Sequence, residues 1–312
     1  MTLTIPKALK KGDTVALISA SGATPSERLQ PAIEAVEKLG FNVIVGETCT
    51  ARHGYLAGSD ELRAAELNAM FANPDIDGIF CIRGGYGATK ILPKLDLEMI
   101  KNNPKVFAGY SDVTALHIVF NQQCGFVTYH TPMPSTEFIK EQMDDYTWRY
   151  FINSVTNTAW NNYLLENVAG EEMTTVVEGT ATGVLTGGNL TLVVASLGTP
   201  YEIDLQGKIL FLEDIDENEQ RIDRMLTQLQ LTGKLDGLAG IILGAWTDCG
   251  PPNPKQPENS LRLETIFDEI LTPLRIPILM NVTCGHVLPT MSLPLGKTVA
   301  MDATNKSLRV IG

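Results

Sequence analysis

The sequence is short of positive charge. It has 24 Lys and Arg residues and 36 Asp and Glu residues, which gives a formal net charge of −12. A negative field repels phosphate backbones and anionic lipids, so nucleic acid and membrane surfaces are not expected partners. No apolar run approaches the length of a membrane span, and residues 1–7 lack the apolar core of a signal peptide. A cytoplasmic location is therefore expected.

Cysteine is also scarce. The five residues are odd in number, widely spaced and form no C-x-x-C pair. This pattern suggests neither a disulfide framework nor a zinc site, and it is typical of small buried side chains in a reducing compartment. No cofactor is indicated. Five carboxylates between Glu213 and Glu219 allow a divalent-cation site, but acids at the start of a solvated helix are the preferred interpretation, so no metal is predicted.

Short apolar runs alternate with helical patterns through the first half of the chain. Predicted strands cover 13–19, 41–45, 78–82 and 106–108, and predicted helices cover 26–39 and a segment that begins near Ser59. This alternation predicts a doubly wound, mainly parallel α/β sheet. We expect residues 1–160 to form this domain and residues 161–312 to form a smaller, mixed α/β domain.

The segment Gly109-Tyr110-Ser111-Asp112 ends an apolar strand and begins a helix. Such a sharp turn exposes the serine hydroxyl near free backbone N–H groups, which can stabilise an oxyanion. The alternative is an ordinary helix-capping serine.

A glycine-rich turn, Arg83-Gly84-Gly85-Tyr86-Gly87, follows the preceding strand and belongs at the same edge of the sheet. Its glycines allow a backbone N–H to approach a substrate oxygen, and Arg83 can pair with a carboxylate. A phosphate-binding loop is the weaker alternative, because neither standard glycine motif is complete.

The second half supplies an acid and a base. Glu213 stands where the predicted strand 208–212 ends, and His286 lies in a Gly/Pro-framed loop after another strand. Of the four histidines, His130 is expected to line a cleft without doing chemistry. Ser111, Glu213 and His286 form a nucleophile, acid and base in chain order, although spacing alone does not show that they meet.

These motifs resemble those of the LD-carboxypeptidases of bacterial murein recycling, a family of serine peptidases that includes the microcin-immunity peptidases. The resemblance spans nearly the whole chain. Besides the segments at 83–87, 109–112, 212–214 and 285–286, it is carried by three others: Gly12-Asp13-Thr14-Val15-Ala16, Gly187-Gly188-Asn189-Leu190 and Arg221-Ile222-Asp223-Arg224.

The resemblance implies a Ser111–Glu213–His286 triad at the cleft between two domains of a homodimeric enzyme. It implies an oxyanion hole formed by the N–H groups of Asp112 and Gly85. The implied substrate is a murein tetrapeptide, which is cut between the L-centre of diaminopimelate or lysine and the terminal D-alanine. Expected substrate-binding residues are Arg83, Gly84, Tyr86 and His130. His130-Thr131-Pro132 departs from the family's His-Gly-Pro.

Three alternatives remain open. A microcin-immunity-type peptidase would act on a peptidyl or aminoacyl nucleotide conjugate. An α/β-hydrolase esterase shares the order of the triad, but Val113 replaces the second glycine of its G-x-S-x-G elbow. A non-catalytic small-molecule binder on the same scaffold is the third alternative.

Overall fold

The computed structural model describes residues 3–141, 143–158 and 160–312. It divides into two compact units, one formed by Met1–Trp160 with Ser292–Gly296 and the other by Asn161–Met291 with Lys297–Gly312. Both units contain helices and a sheet, which confirms the predicted α/β class. The segment Ser292–Gly296 lies in the range assigned to the second domain, yet it belongs to the first unit because its strand pairs with the first sheet.

The first unit is built on a six-stranded sheet. Its strands are β1 (Thr14–Ile18), β2 (Asn42–Val45), β3 (Gly78–Cys81), β4 (Val106–Gly109), β5 (Thr128–His130) and β12 (Leu293–Leu295). Its helices are α1 (Ser26–Lys38), α2 (Asp60–Ala72), α3 (Ala88–Ile91), α4 (Leu97–Asn102), α5 (Thr114–Val119) and α6 (Asp145–Thr156).

The strand order of this sheet is β12-β5-β4-β3-β1-β2, and β1 to β5 are parallel. Strands β3 and β4 are buried along their whole length, as expected for apolar runs with no polar alternation. Ser59 caps α2 by accepting a hydrogen bond from the backbone N–H of Leu62. The order reverses between β1 and β3, where open α/β sheets form a crevice at the carboxyl ends of their strands.

The second unit contains an eight-stranded mixed sheet. Its strands are β6 (Tyr163–Leu165), β7 (Thr174–Val177), β8 (Thr180–Asn189), β9 (Ile209–Ile215), β10 (Gly240–Thr247), β11 (Ile278–Met280), β13 (Thr298–Asp302) and β14 (Ser307–Val310). Its helices are α7 (Leu190–Ala195), α8 (Glu219–Leu231) and α9 (Leu263–Ile270). The central strands β8 to β11 are parallel, and antiparallel strands flank them on both sides.

Two parts of the chain differ from their sequence pattern. The segment 137–178, whose residues show no clean periodicity, contains α6, β6 and β7. The strand predicted to end at Leu212 continues to Ile215, so Glu213 lies inside β9. Polarity is a poor guide there, because the carboxylates of Glu213 and Asp214 are buried and hydrogen-bonded. Within the described ranges, no helix is both long and apolar enough to cross a membrane.

Candidate active site

Ser111 occupies a strained corner between β4 and α5. Its φ is 66°, in the left-handed region that side chains other than glycine seldom adopt, and a short 3-10 turn leads from it into the helix. Such conformations persist only where the surroundings enforce them, and they are frequent at functional sites. This strand–turn–helix geometry is the one that presents a nucleophilic serine.

The glycine-rich turn packs directly against Ser111. A β-carbon on Gly84 would lie 2.9 Å from Ser111 Cβ and 3.0 Å from Ser111 Oγ. Only glycine therefore permits this approach. The next residue, Gly85, has a φ of 118° and is exposed.

Two buried side chains hold the turn in place. Asp112 Oδ2 accepts a hydrogen bond of 2.8 Å from the N–H of Ala88, and burial raises the pKa of this carboxyl group. Arg63, which is 1% exposed, donates from Nη1 to the carbonyls of Ala20 and Gly87. The position of the turn relative to the serine is thus fixed from both sides.

Glu213 and His286 form a hydrogen-bonded pair in the second unit. Glu213 Oε2 lies 2.6 Å from His286 Nδ1 and also accepts from the backbone N–H of His286 at 3.2 Å. The glutamate side chain is fully buried, whereas that of the histidine is 12% exposed. Thr247 Oγ1 donates to the carbonyl of His286 at 2.6 Å and anchors the loop. A carboxylate on Nδ1 leaves Nε2 as the basic nitrogen.

Gly285 is required for this contact. Its φ is 121°, and a β-carbon on it would lie 2.8 Å from Glu213 Oε2 and 2.9 Å from Glu213 Cβ. The loop can bring His286 onto the carboxylate only because this residue has no side chain.

The other histidines have different surroundings. His117 is fully buried, its Nε2 lies 2.9 Å from the carbonyl oxygen of Gly109, and burial lowers its pKa to about 4. His130 is 2% exposed within β5, and its ring packs edge-on against Tyr110 at a centroid distance of 5.4 Å. His53 is exposed in a loop.

The remaining predicted substrate-binding residues lie on the glycine-rich turn. Arg83 is half-buried and donates to the carbonyls of Ala23 and Gly84, and Tyr86 is exposed with its ring 5.9 Å from that of Tyr55.

The first carboxylate after Glu213 in the sequence has a structural explanation. Asp214 accepts hydrogen bonds from Asn189, Thr191 and Ile215, and within the described ranges no group of three His, Cys, Asp or Glu side chains could hold a metal ion.

Sequence reasoning did not find the supporting roles of Arg63, Thr247 and Gly285. An arginine inside a helix and a threonine at a strand end carry no local signal, because their partners are distant in the chain. The glycine next to His286 offered one: a glycine beside a predicted base can mark a close backbone approach.

A strained serine at a strand–helix corner and a carboxylate hydrogen-bonded to a histidine are features of the active sites of serine hydrolases. Comparison with known proteins specifies the class further. The chain belongs to the LD-carboxypeptidase family, since the model of the family's N-terminal domain matches residues 15–131 and that of its C-terminal domain matches residues 182–301. It is a serine-type carboxypeptidase.

Curated relatives and solved structures cover almost the whole chain. A probable murein peptide carboxypeptidase of Bacillus subtilis is 38% identical over 307 residues, which is 97% of this chain and 92% of the relative. The murein tetrapeptide carboxypeptidase of Pseudomonas aeruginosa is 30% identical and covered to 92% on both sides. A structure of the microcin C7 self-immunity protein MccF with aspartyl sulfamoyl adenosine matches with a TM-score of 0.88 at 27% identity, over 99% of this chain and 98% of that one.

Proposed function

We propose that this carboxypeptidase releases the terminal D-alanine of murein tetrapeptides through a Ser111–Glu213–His286 acyl-enzyme mechanism. The observation that carries the proposal is the 2.6 Å bond between Glu213 Oε2 and His286 Nδ1. A buried carboxylate in that position fixes the tautomer of a catalytic histidine and stabilises its protonated form. The murein peptide carboxypeptidases of Bacillus subtilis and Pseudomonas aeruginosa support the substrate class.

In the proposed reaction, His286 Nε2 takes the proton of the Ser111 hydroxyl as Oγ attacks the carbonyl carbon of the L-centre. The N–H groups of Asp112 and Gly85 stabilise the oxyanion, and the close packing of Gly84 on Ser111 supports this assignment. Protonation of the leaving amine by His286 breaks the peptide bond and frees D-alanine. Water, deprotonated by the same histidine, then attacks the ester and regenerates the hydroxyl.

The mechanism requires Ser111 and His286 to meet at a cleft between two domains, with residues 1–160 carrying the nucleophile and residues 161–312 the other two groups. Ser111→Ala should lower kcat on the order of 10⁴-fold or more, because the hydroxyl is the attacking atom. The assay is mass spectrometry of tripeptide formed from tetrapeptide. Ser26→Ala, which changes an exposed serine at the start of α1, is the matched control.

Labelling gives a second, independent readout. A serine-directed phosphonate should modify Ser111 in the parent enzyme and no residue in His286→Ala, since the base generates the nucleophile. Tripeptide production by Ser111→Ala at the parental rate would show that another residue is the nucleophile.

A microcin-type activity is the second candidate, favoured by the TM-score of 0.88 to the MccF complex with aspartyl sulfamoyl adenosine. Both substrates should be assayed with the same enzyme preparation. A higher kcat/KM for tetrapeptide supports the murein assignment, and a higher value for the adenosine conjugate reverses it. Faster turnover of nitrophenyl esters than of either substrate would indicate an esterase, and binding of intact peptide without turnover would indicate a non-catalytic binder.

We also propose that the enzyme acts as a cytoplasmic homodimer with no nucleic-acid or membrane partner. The resemblance supports the dimer, and the net charge of −12 supports the absence of those partners. Light scattering after size-exclusion chromatography tests the assembly, and cell fractionation tests the location. A monomeric mass at micromolar concentration contradicts the dimer.

A further inference from the structure

Two loops follow β1 and β3, the strands between which the order of the first sheet reverses. Ligands of open α/β sheets bind at such a point, outside the carboxyl ends of the strands. The loop after β1 includes Gly22 and Ala23, and the loop after β3 is the glycine-rich turn. One backbone hydrogen bond joins them, from Gly22 N to Gly84 O at 3.2 Å.

Three arginines surround these loops. Arg83 Nη1 donates to the carbonyl of Ala23 at 2.8 Å and its Nε to that of Gly84 at 3.2 Å, while Arg52 Nη2 lies 3.4 Å from the carbonyl of Thr24. Arg28 follows in the first turn of α1 and is exposed, as is Arg52. Carbonyl oxygens orient the guanidinium groups of Arg83 and Arg52 but do not neutralise them.

The cluster lacks an acidic partner. None of the three arginines forms an ion pair with any described Asp or Glu, although acids outnumber bases in this chain by 36 to 24. Burial and the positive charges of Arg28 and Arg52 lower the pKa of Arg83. Mutual repulsion of this kind costs stability, and an anionic ligand would relieve it.

Gly84 links the cluster to the proposed nucleophile: its carbonyl accepts from Arg83 Nε, and a β-carbon on it would come within 3.0 Å of Ser111 Oγ. In a peptide, the last carbonyl before the C-terminal residue and the free carboxylate are separated by one residue, ~3.8 Å between α-carbons. Arginine is the side chain best suited to bind a carboxylate by two parallel hydrogen bonds.

We propose that Arg83, assisted by Arg28 and Arg52, forms the subsite for the free carboxylate of the residue that the enzyme releases. The subsite rests on the proposed function and explains why the enzyme would act only at a chain terminus. Arg83 supplies the direct contact through Nη2, which makes no hydrogen bond with the described residues, and the two exposed arginines supply long-range attraction.

The test compares tetrapeptide ending in free D-alanine with the same peptide ending in D-alaninamide. The parent enzyme should prefer the acid in kcat/KM, and Arg83→Ala should reduce that preference about 10- to 100-fold, the effect of losing one charged hydrogen-bonding partner. The Arg28→Ala/Arg52→Ala double variant, which changes only exposed side chains, should reduce it about threefold or more through a higher KM with kcat unchanged. Arg149→Ala, an exposed arginine of α6, is the control and should leave the preference intact.

If both arginine variants prefer the acid over the amide as strongly as the parent does, the subsite is overturned and the peptidase proposal still stands. If the parent cleaves neither peptide, the peptidase proposal fails, and equilibrium binding of the two intact peptides then tests the subsite. Tighter binding of the acid that is lost in Arg83→Ala supports the subsite. Equal binding of the acid and the amide overturns it. Stronger competition by inorganic phosphate than by free D-alanine would identify a phosphate site and overturn the carboxylate assignment.

Discussion

Replacing Gly285 by alanine tests the acid–base pair without touching either partner. The residue has a φ of 121°, a conformation almost confined to glycine, and forcing alanine into it costs on the order of 1–3 kcal/mol. The new β-carbon would also stand 2.8 Å from Glu213 Oε2 and 2.9 Å from Glu213 Cβ, well inside the ~3.5–4.0 Å optimum of non-bonded contacts. The clash is relieved only if the loop or the glutamate moves by about 1 Å.

A movement of that size breaks the 2.6 Å bond between Glu213 and His286. Misplacing a catalytic group by ~1 Å costs about 10²-fold in rate, and a histidine held in the wrong tautomer costs about 10⁴-fold. We therefore expect Gly285→Ala to lower kcat/KM for tetrapeptide by roughly 10²- to 10⁴-fold. Urea unfolding should show a loss of about 2–4 kcal/mol in the free energy of unfolding.

The matched control is Gly198→Ala. Gly198 also has a positive φ, 78°, but no atom lies within 4 Å of the place its β-carbon would take. This variant should lose some stability and keep its activity. Parental activity in Gly285→Ala would refute the reasoning, and equal inactivation of both variants would show that strain alone, and not the contact with Glu213, is responsible.

Two further predictions concern buried groups. Burial lowers the pKa of His117 in the folded protein from its ordinary 6.5 to about 4. Between these values the unfolded chain binds more protons than the folded protein, so the free energy of unfolding decreases as the pH falls from about 6.5 towards 4. Relative to a His117→Gln variant, urea unfolding of the parent should lose an extra ~2 kcal/mol between pH 7 and pH 5, and parallel pH curves would contradict this. Burial raises the pKa of the Cys49, Cys124 and Cys249 thiols to about 12, and it raises the pKa of the Cys81 and Cys284 thiols further. Ellman's reagent at pH 8 should therefore modify none of the five thiols in the folded protein and all five in urea. Rapid modification of the folded protein would contradict the burial.

Strands and helices were predictable wherever a local pattern carried the information. The apolar run before Ser111 forms β4, and α2 begins at Asp60, directly after the predicted start near Ser59. Strand β12 escaped prediction because it is three residues long, contains Pro294, and owes its existence to pairing with β5 more than 160 residues earlier. The extension of β9 past Leu212 escaped for a related reason, since buried carboxylates look like solvent-exposed ones in a sequence.

The sequence by itself determined the α/β alternation, the serine at a strand–helix corner and the glycine-rich turn, since each is written in residues that are neighbours along the chain. Only the tertiary structure decided that Oε2 of Glu213 binds a histidine 73 positions later and that Arg28, Arg52 and Arg83 lie near one another. Periodicity reports which face of an element is apolar. Hydrogen bonds, burial and shifted pKa values depend on which distant segments the fold brings together.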